Sequence, residues 1–70
     1  MTEMQERIQD LEECARYILE FEESDFENQF YNEPDFEPEK HIYAIAHLAL
    51  HGKQSTDLMI REYLLKARPS

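Results

Sequence analysis

The sequence predicts an all-α fold: a small bundle of three main helices, with an acidic, aromatic-containing connection between the first two. Two observations carry this. Apolar residues recur at spacings of three and four in separate stretches, the period of one face of a helix. The breakers Pro34, Pro38, Gly52 and Pro69 fall between or after those stretches. A length of 70 residues allows one small domain, spanning 1–70.

Thr2 followed by Gln5 reads as a capping box that starts helix 1, expected over about residues 3–22. Met4, Ile8, Leu11, Ala15 and Ile18 make its apolar stripe, widened by Cys14, Leu19 and Phe21. Glu6, Gln9, Glu13, Arg16 and Glu20 fall on the opposite, solvated side, with Glu3 to Arg7 and Glu12 to Arg16 in favourable i, i+4 order. After Phe21 the period fails, and residues 23–37 read as the connection. Ser24 and Glu27 can cap one extra short helix within it that carries Phe26 and Phe30 on one side. Pro34 and Pro38 keep the residues before them extended.

Pro38 suits the first position of helix 2, expected over about 38–51 and closed by Gly52 in a left-handed cap. Ile42, Tyr43, Ala44, Ile45, Ala46, Leu48, Ala49 and Leu50 cover most of its circumference, which predicts a central position. Ser55 or Thr56 caps helix 3, expected over about 56–68 and stopped by Pro69. Met59, Ile60, Tyr63, Leu64 and Ala67 form its core face. Leu58 and Leu65 form a second apolar strip beside Arg61 and Arg68, and are the candidate self-association residues. A core this small yields roughly 3–5 kcal/mol, so a homodimer or larger assembly through helix 1 or through Leu58 and Leu65 is expected.

The net charge is −9, and its layout is uneven. Between Tyr17 and Glu39 stand Glu20, Glu22, Glu23, Asp25, Glu27, Glu33, Asp35, Glu37 and Glu39 without one Lys or Arg, whereas the stretch after Lys40 is mildly basic. Such a charge argues against direct binding of nucleic acid, whose affinity comes largely from phosphate neutralisation. A single Cys excludes an internal disulfide and a thiolate zinc site. The charged start and the absence of a long apolar run point to a soluble, cytoplasmic protein that begins at residue 1 and does not engage a membrane.

No catalytic or cofactor motif is present, so a non-enzymatic protein without cofactor is expected. His47 and His51, four apart, have the spacing of a metal pair but lack further ligands, and His41 points elsewhere; they read as a solvated strip. His41 is expected half-buried against the aromatics of the connection. Cys14 reads as a packing residue, and Asp25 to Asn28 lack the spacing of a calcium loop.

The acidic tract with interleaved aromatics is the candidate partner-binding site: Glu20, Glu22, Glu23, Asp25, Phe26, Glu27, Phe30, Tyr31, Glu33, Asp35, Phe36 and Glu37. Carboxylates along a helix can imitate DNA phosphates toward a protein with a basic, nucleic-acid-binding surface, with the aromatics adding apolar contact. The competing reading folds the aromatics over the core and leaves the acids to keep the chain soluble. In size, acidity and helical content the chain resembles the small proteins with which phages and mobile elements block host nucleases and other DNA-binding machinery. That resemblance implies an inhibitor or regulator of anti-defence type. The alternative is a structural or regulatory subunit assembling through apolar helix faces.

Overall fold

The computed structural model describes residues 2–67, and all regular structure among them is helical: α1 (Glu3–Asn32), a 3-10 turn (Pro38–Lys40) and α2 (Ile42–Ala67). The all-α class holds. The count of three main helices is corrected to two long elements, because the expected second and third helices join in α2 without a loop. The expected stop of the last helix at Arg68 and Pro69 lies outside the described residues.

α1 begins as the capping box requires. Thr2 is extended, its hydroxyl accepts from the Gln5 amide at 3.4 Å, and Gln5 Oε1 accepts from the Thr2 amide at 3.4 Å. The expected end near residue 22 is corrected: the helix continues unbroken to Asn32, so most of the supposed connection and its separate short helix belong to α1. The reason is that Glu22, Phe26, Gln29 and Phe30 prolong the stripe of Ala15 and Ile18. Two polar members hid the period. Amide side chains at i, i+4 support the last turns, Gln29 donating to Asp25 and Asn32 to Asn28. Pro34 then forces Glu33 out of helical geometry, to φ −111° and ψ 111°.

Pro38 opens the 3-10 turn rather than helix 2. α2 starts after His41, which is extended at φ −79° and ψ 141°. His41 caps it with two acceptors: its carbonyl takes the Ile45 amide at 3.0 Å, and its Nδ1 takes the Tyr43 amide at 3.0 Å. Within α2, Gly52 has φ 84° and ψ 172°, which breaks the helix into arms 42–51 and 53–67. The left-handed cap expected there is corrected, because ψ lies far from the left-handed helical value. One glycine makes the whole reversal, so the second arm starts at Lys53 and Thr56 is no N-cap. The Thr56 hydroxyl instead donates to the Gly52 carbonyl at 2.9 Å and meets His47 Nδ1 at 2.9 Å, tying the arms together.

The second arm returns along α1, where Tyr63 and Ala67 pack on the core of Phe26, Phe30, Tyr43 and Ala44. Phe26 has no exposed surface. Its ring lies 4.9 to 5.6 Å from those of Phe30, Phe36, His41, Tyr43 and Tyr63, mostly tilted or edge-on. The expected central position of the first α2 arm is corrected: Tyr43, Ala44 and Ala46 are buried, while Ile42, Ile45 and Leu48 are about half exposed, since nothing covers its far side. α1 outruns α2, which gives extents of 51 × 22 × 17 Å and leaves residues 3–14 exposed. Cys14 is therefore exposed and not a packing residue. No helix among the described residues is long and apolar enough to cross a membrane.

Candidate acidic interface

An unbroken α1 adds Glu27 to the acidic side that Glu6, Glu13 and Glu20 already share. Glu6, Glu13, Glu20 and Glu27 are seven apart on one helix, and all are exposed. Seven residues advance about 10.5 Å and nearly two turns, so the four form one row over about 32 Å. Glu12 and Glu23 flank it, together with Arg16. Glu33, Asp35 and Glu37 prolong the acidic surface around the turn, all exposed. Glu6 and Glu13 are members that sequence reasoning placed on the solvated face and did not assign to the site; the signal that finds them is the seven-residue spacing.

The molecule's own cations leave this surface largely unanswered. Among the described residues, the one Lys or Arg contact with a carboxylate is Lys40 to Glu37 at 2.7 Å, between exposed side chains. The expected pairs Glu3 to Arg7 and Glu12 to Arg16 are not formed. Asp25 meets His41 Nε2 at 3.2 Å, and Glu27 accepts from the Tyr63 hydroxyl at 3.1 Å. Glu22 is half-buried beside Asp25 and His41.

The aromatic half of the sequence-predicted site goes elsewhere. Phe26 and Phe30 are core residues, Phe36 is half-buried against both, and only Tyr31 keeps substantial exposure. Three of these four rings gain more from burial in the small core than from display. Leu58 and Leu65 are exposed on the outer face of the second α2 arm.

Glu22, Asp25 and His41 bring ligand atoms within 4.8 Å of one another, a spacing that suits a cation. The imidazole rules against ligation. A neutral ring carries one N–H, and Nδ1 already accepts the Tyr43 amide, so the proton sits on Nε2, the atom facing Asp25. A ligating histidine needs the reverse arrangement. The trio is an interhelical hydrogen bond. His41 packs against Phe26 and Phe36 at 5.3 and 5.4 Å, as its expected half-burial requires.

The rings of His47 and His51 lie 4.6 Å apart, tilted by 49°. Thr56 gives its only proton to Gly52, so His47 Nδ1–H is the donor to Thr56. His47 is half-buried and not solvated as the sequence suggested; burial, and then the neighbouring His51, lower its pKa below 6.5. Burial first, then the bond to Glu27, raises the Tyr63 pKa, and burial with the charges of Glu23 and Glu27 raises that of Tyr43.

These shifts set a stability profile. The unfolded chain takes up a proton at His47 near pH 6.5 before the folded chain does, so stability is full above that pH and falls as pH drops through it. The raised tyrosines keep their full contribution below pH 10 and lose it as pH rises further. Denaturant midpoints are expected to be flat between these limits, and His47→Asn to remove the histidine part of the acid limb.

No protein-family model matches the chain, and neither a curated protein nor a solved structure does.

Proposed function

We propose that this protein is a non-enzymatic, acidic interaction protein that binds a basic, nucleic-acid-handling protein and inhibits or regulates it by occupying its nucleic acid site. The observation that carries the reading is the exposed row Glu6, Glu13, Glu20 and Glu27 on one continuous helix. The row carries one carboxylate about every 10.5 Å, and its length of about 32 Å is close to one turn of the duplex. A groove lined by Lys and Arg meets a line of negative charge of comparable extent. Blocking a nuclease or a DNA-binding regulator is the task such a surface suits.

A second feature supports recognition over mere solubility. The last turn of α1 has no basic residue, while Glu33 caps that end, where the helix dipole disfavours negative charge. Charge that opposes the stability of its own helix calls for another use.

The test replaces Glu6, Glu13, Glu20 and Glu27 with Gln, which keeps the acceptor for Tyr63 and leaves Asp25 with His41. Partner binding is expected to fall by at least roughly a hundredfold, while circular dichroism shows α1 still helical and stability drops only slightly, from loss of the Glu6 charge in the first turn and of the charged acceptor for Tyr63. Affinity equal to wild type, measured by calorimetry with the captured partner, would remove α1 from the interface.

A further inference from the structure

We propose that His47 and His51 together hold a divalent transition-metal ion of the imidazole-binding class, nickel or copper ahead of zinc, on the last turn of the first α2 arm. The two stand four apart on the unbroken helical stretch 42–51, so their side chains project from one face. A histidine ligates through the ring nitrogen that carries no proton, while the other gives its N–H to a fixed acceptor. His47 already has that arrangement. Its Nδ1–H goes to the Thr56 hydroxyl at 2.9 Å, and that hydroxyl is held in turn by the Gly52 carbonyl at 2.9 Å, which leaves the lone pair on Nε2. His41 has the opposite arrangement, with its proton on Nε2 and its Nδ1 occupied.

Access and spacing agree with this. Among the described residues no buried side-chain nitrogen or oxygen lacks a partner, and His47 Nε2 meets none of their polar atoms, so it opens to solvent. His51 is exposed beside it and brings the second nitrogen without displacing a packed group. An ion bound at about 2.05 Å lies about 3.2 Å from the centre of the ring, so two imidazoles meeting at one ion have centres about 4.5 Å apart at a right angle and about 5.2 Å apart at the tetrahedral angle. The observed 4.6 Å matches the right angle. That angle belongs to square-planar and octahedral coordination, which suits nickel and copper, whereas zinc prefers the tetrahedron. Water fills the remaining positions. The acidic row on α1 offers carboxylates only, which suit magnesium, calcium and manganese, so the choice of ion separates the two surfaces. An ion held here braces the end of the first arm and, through His47 and Thr56, the reversal at Gly52. The site stands independently of the partner proposed above.

Calorimetric titration with nickel chloride at about pH 7.5, where imidazole is neutral, tests the site. Wild type is expected to take up one ion. His51→Ala, at an exposed position, should stay helical by circular dichroism and bind at least roughly tenfold more weakly. Thr56→Val, which removes the acceptor behind His47, should cost about tenfold as well, and Thr56→Ser should recover wild-type affinity. Nickel should raise the urea midpoint of wild type and leave that of His51→Ala where it is. In magnetic resonance spectra the paramagnetic ion should broaden the ring signals of His47 and His51 before those of His41. Equal affinity in wild type and His51→Ala, no uptake below about 1 mM nickel, or broadening centred on His41 or Cys14 would overturn the proposal. Thr56→Val binding as tightly as wild type would overturn the part given to Thr56.

Discussion

Phe26→Ala is expected to leave the protein largely unfolded at 25 °C. Phe26 is completely buried, and five aromatic or imidazole rings pack around it from both helices and the turn between them. Removing the ring takes away its transfer energy and opens a cavity that the rigid rings around it cannot fill, a change that costs about 3–5 kcal/mol. That is as much as a core of this size supplies. The internal control is Phe21 on the same helix, 62% exposed and touching mainly Tyr17 at 4.6 Å. Phe21→Ala should change stability by less than about 1 kcal/mol. Urea titrations followed by circular dichroism separate the two, and equal losses would mean that the core does not centre on Phe26.

Gly52→Ala should be the next most damaging change, and for a reason that owes nothing to packing. A methyl group at that position meets no atom within 4 Å. The backbone, at φ 84° and ψ 172°, lies in a region that only glycine enters readily, so any side chain costs about 1–3 kcal/mol there. The consequence is local to the reversal. It loosens the contact of His47 with Thr56 and frees the second arm, which carries Tyr63 to Phe26 and Glu27. Loss of slow amide exchange across residues 53–67, with the middle of α1 less affected, is the expected signature. A Gly52→Ala variant as stable as wild type would show that the turn tolerates another conformation.

Helical class, the capping box and the breaking role of Pro34 and Gly52 were legible in the sequence, since each depends on neighbours a few residues away. The continuity of α1 was not, because Glu22 and Gln29 occupy stripe positions and mask the period that Phe26 and Phe30 prolong. Ser24 with Glu27 imitates a helix start, yet inside an existing helix Ser24 faces solvent and Glu27 accepts from Tyr63. The junction in α2 was misjudged for another reason: a glycine in an extended, positive-φ conformation reverses the chain alone, and nothing local distinguishes it from a glycine that ends a helix before a loop. His41 as a cap was missed because imidazole is uncommon in that role, and its partner Asp25 is sixteen residues away. The acidic tract was visible as composition. Glu6, Glu13 and Glu20 already shared the solvated side of helix 1; the addition of Glu27 to that row followed only from the unbroken helix, and the burial of Phe26 and Phe30 depended on the fold that brings Tyr43 and Tyr63 to them.

The central claim is that the carboxylate row on α1 is a recognition surface for a basic protein. Its most direct measurement is the salt dependence of partner affinity for wild type and for the variant with Gln at positions 6, 13, 20 and 27, with duplex DNA as competitor. The account predicts that wild-type affinity falls steeply as salt rises, that the slope flattens in the variant, and that DNA displaces the protein from its partner. Equal slopes for the two proteins, with DNA unable to compete, would contradict it.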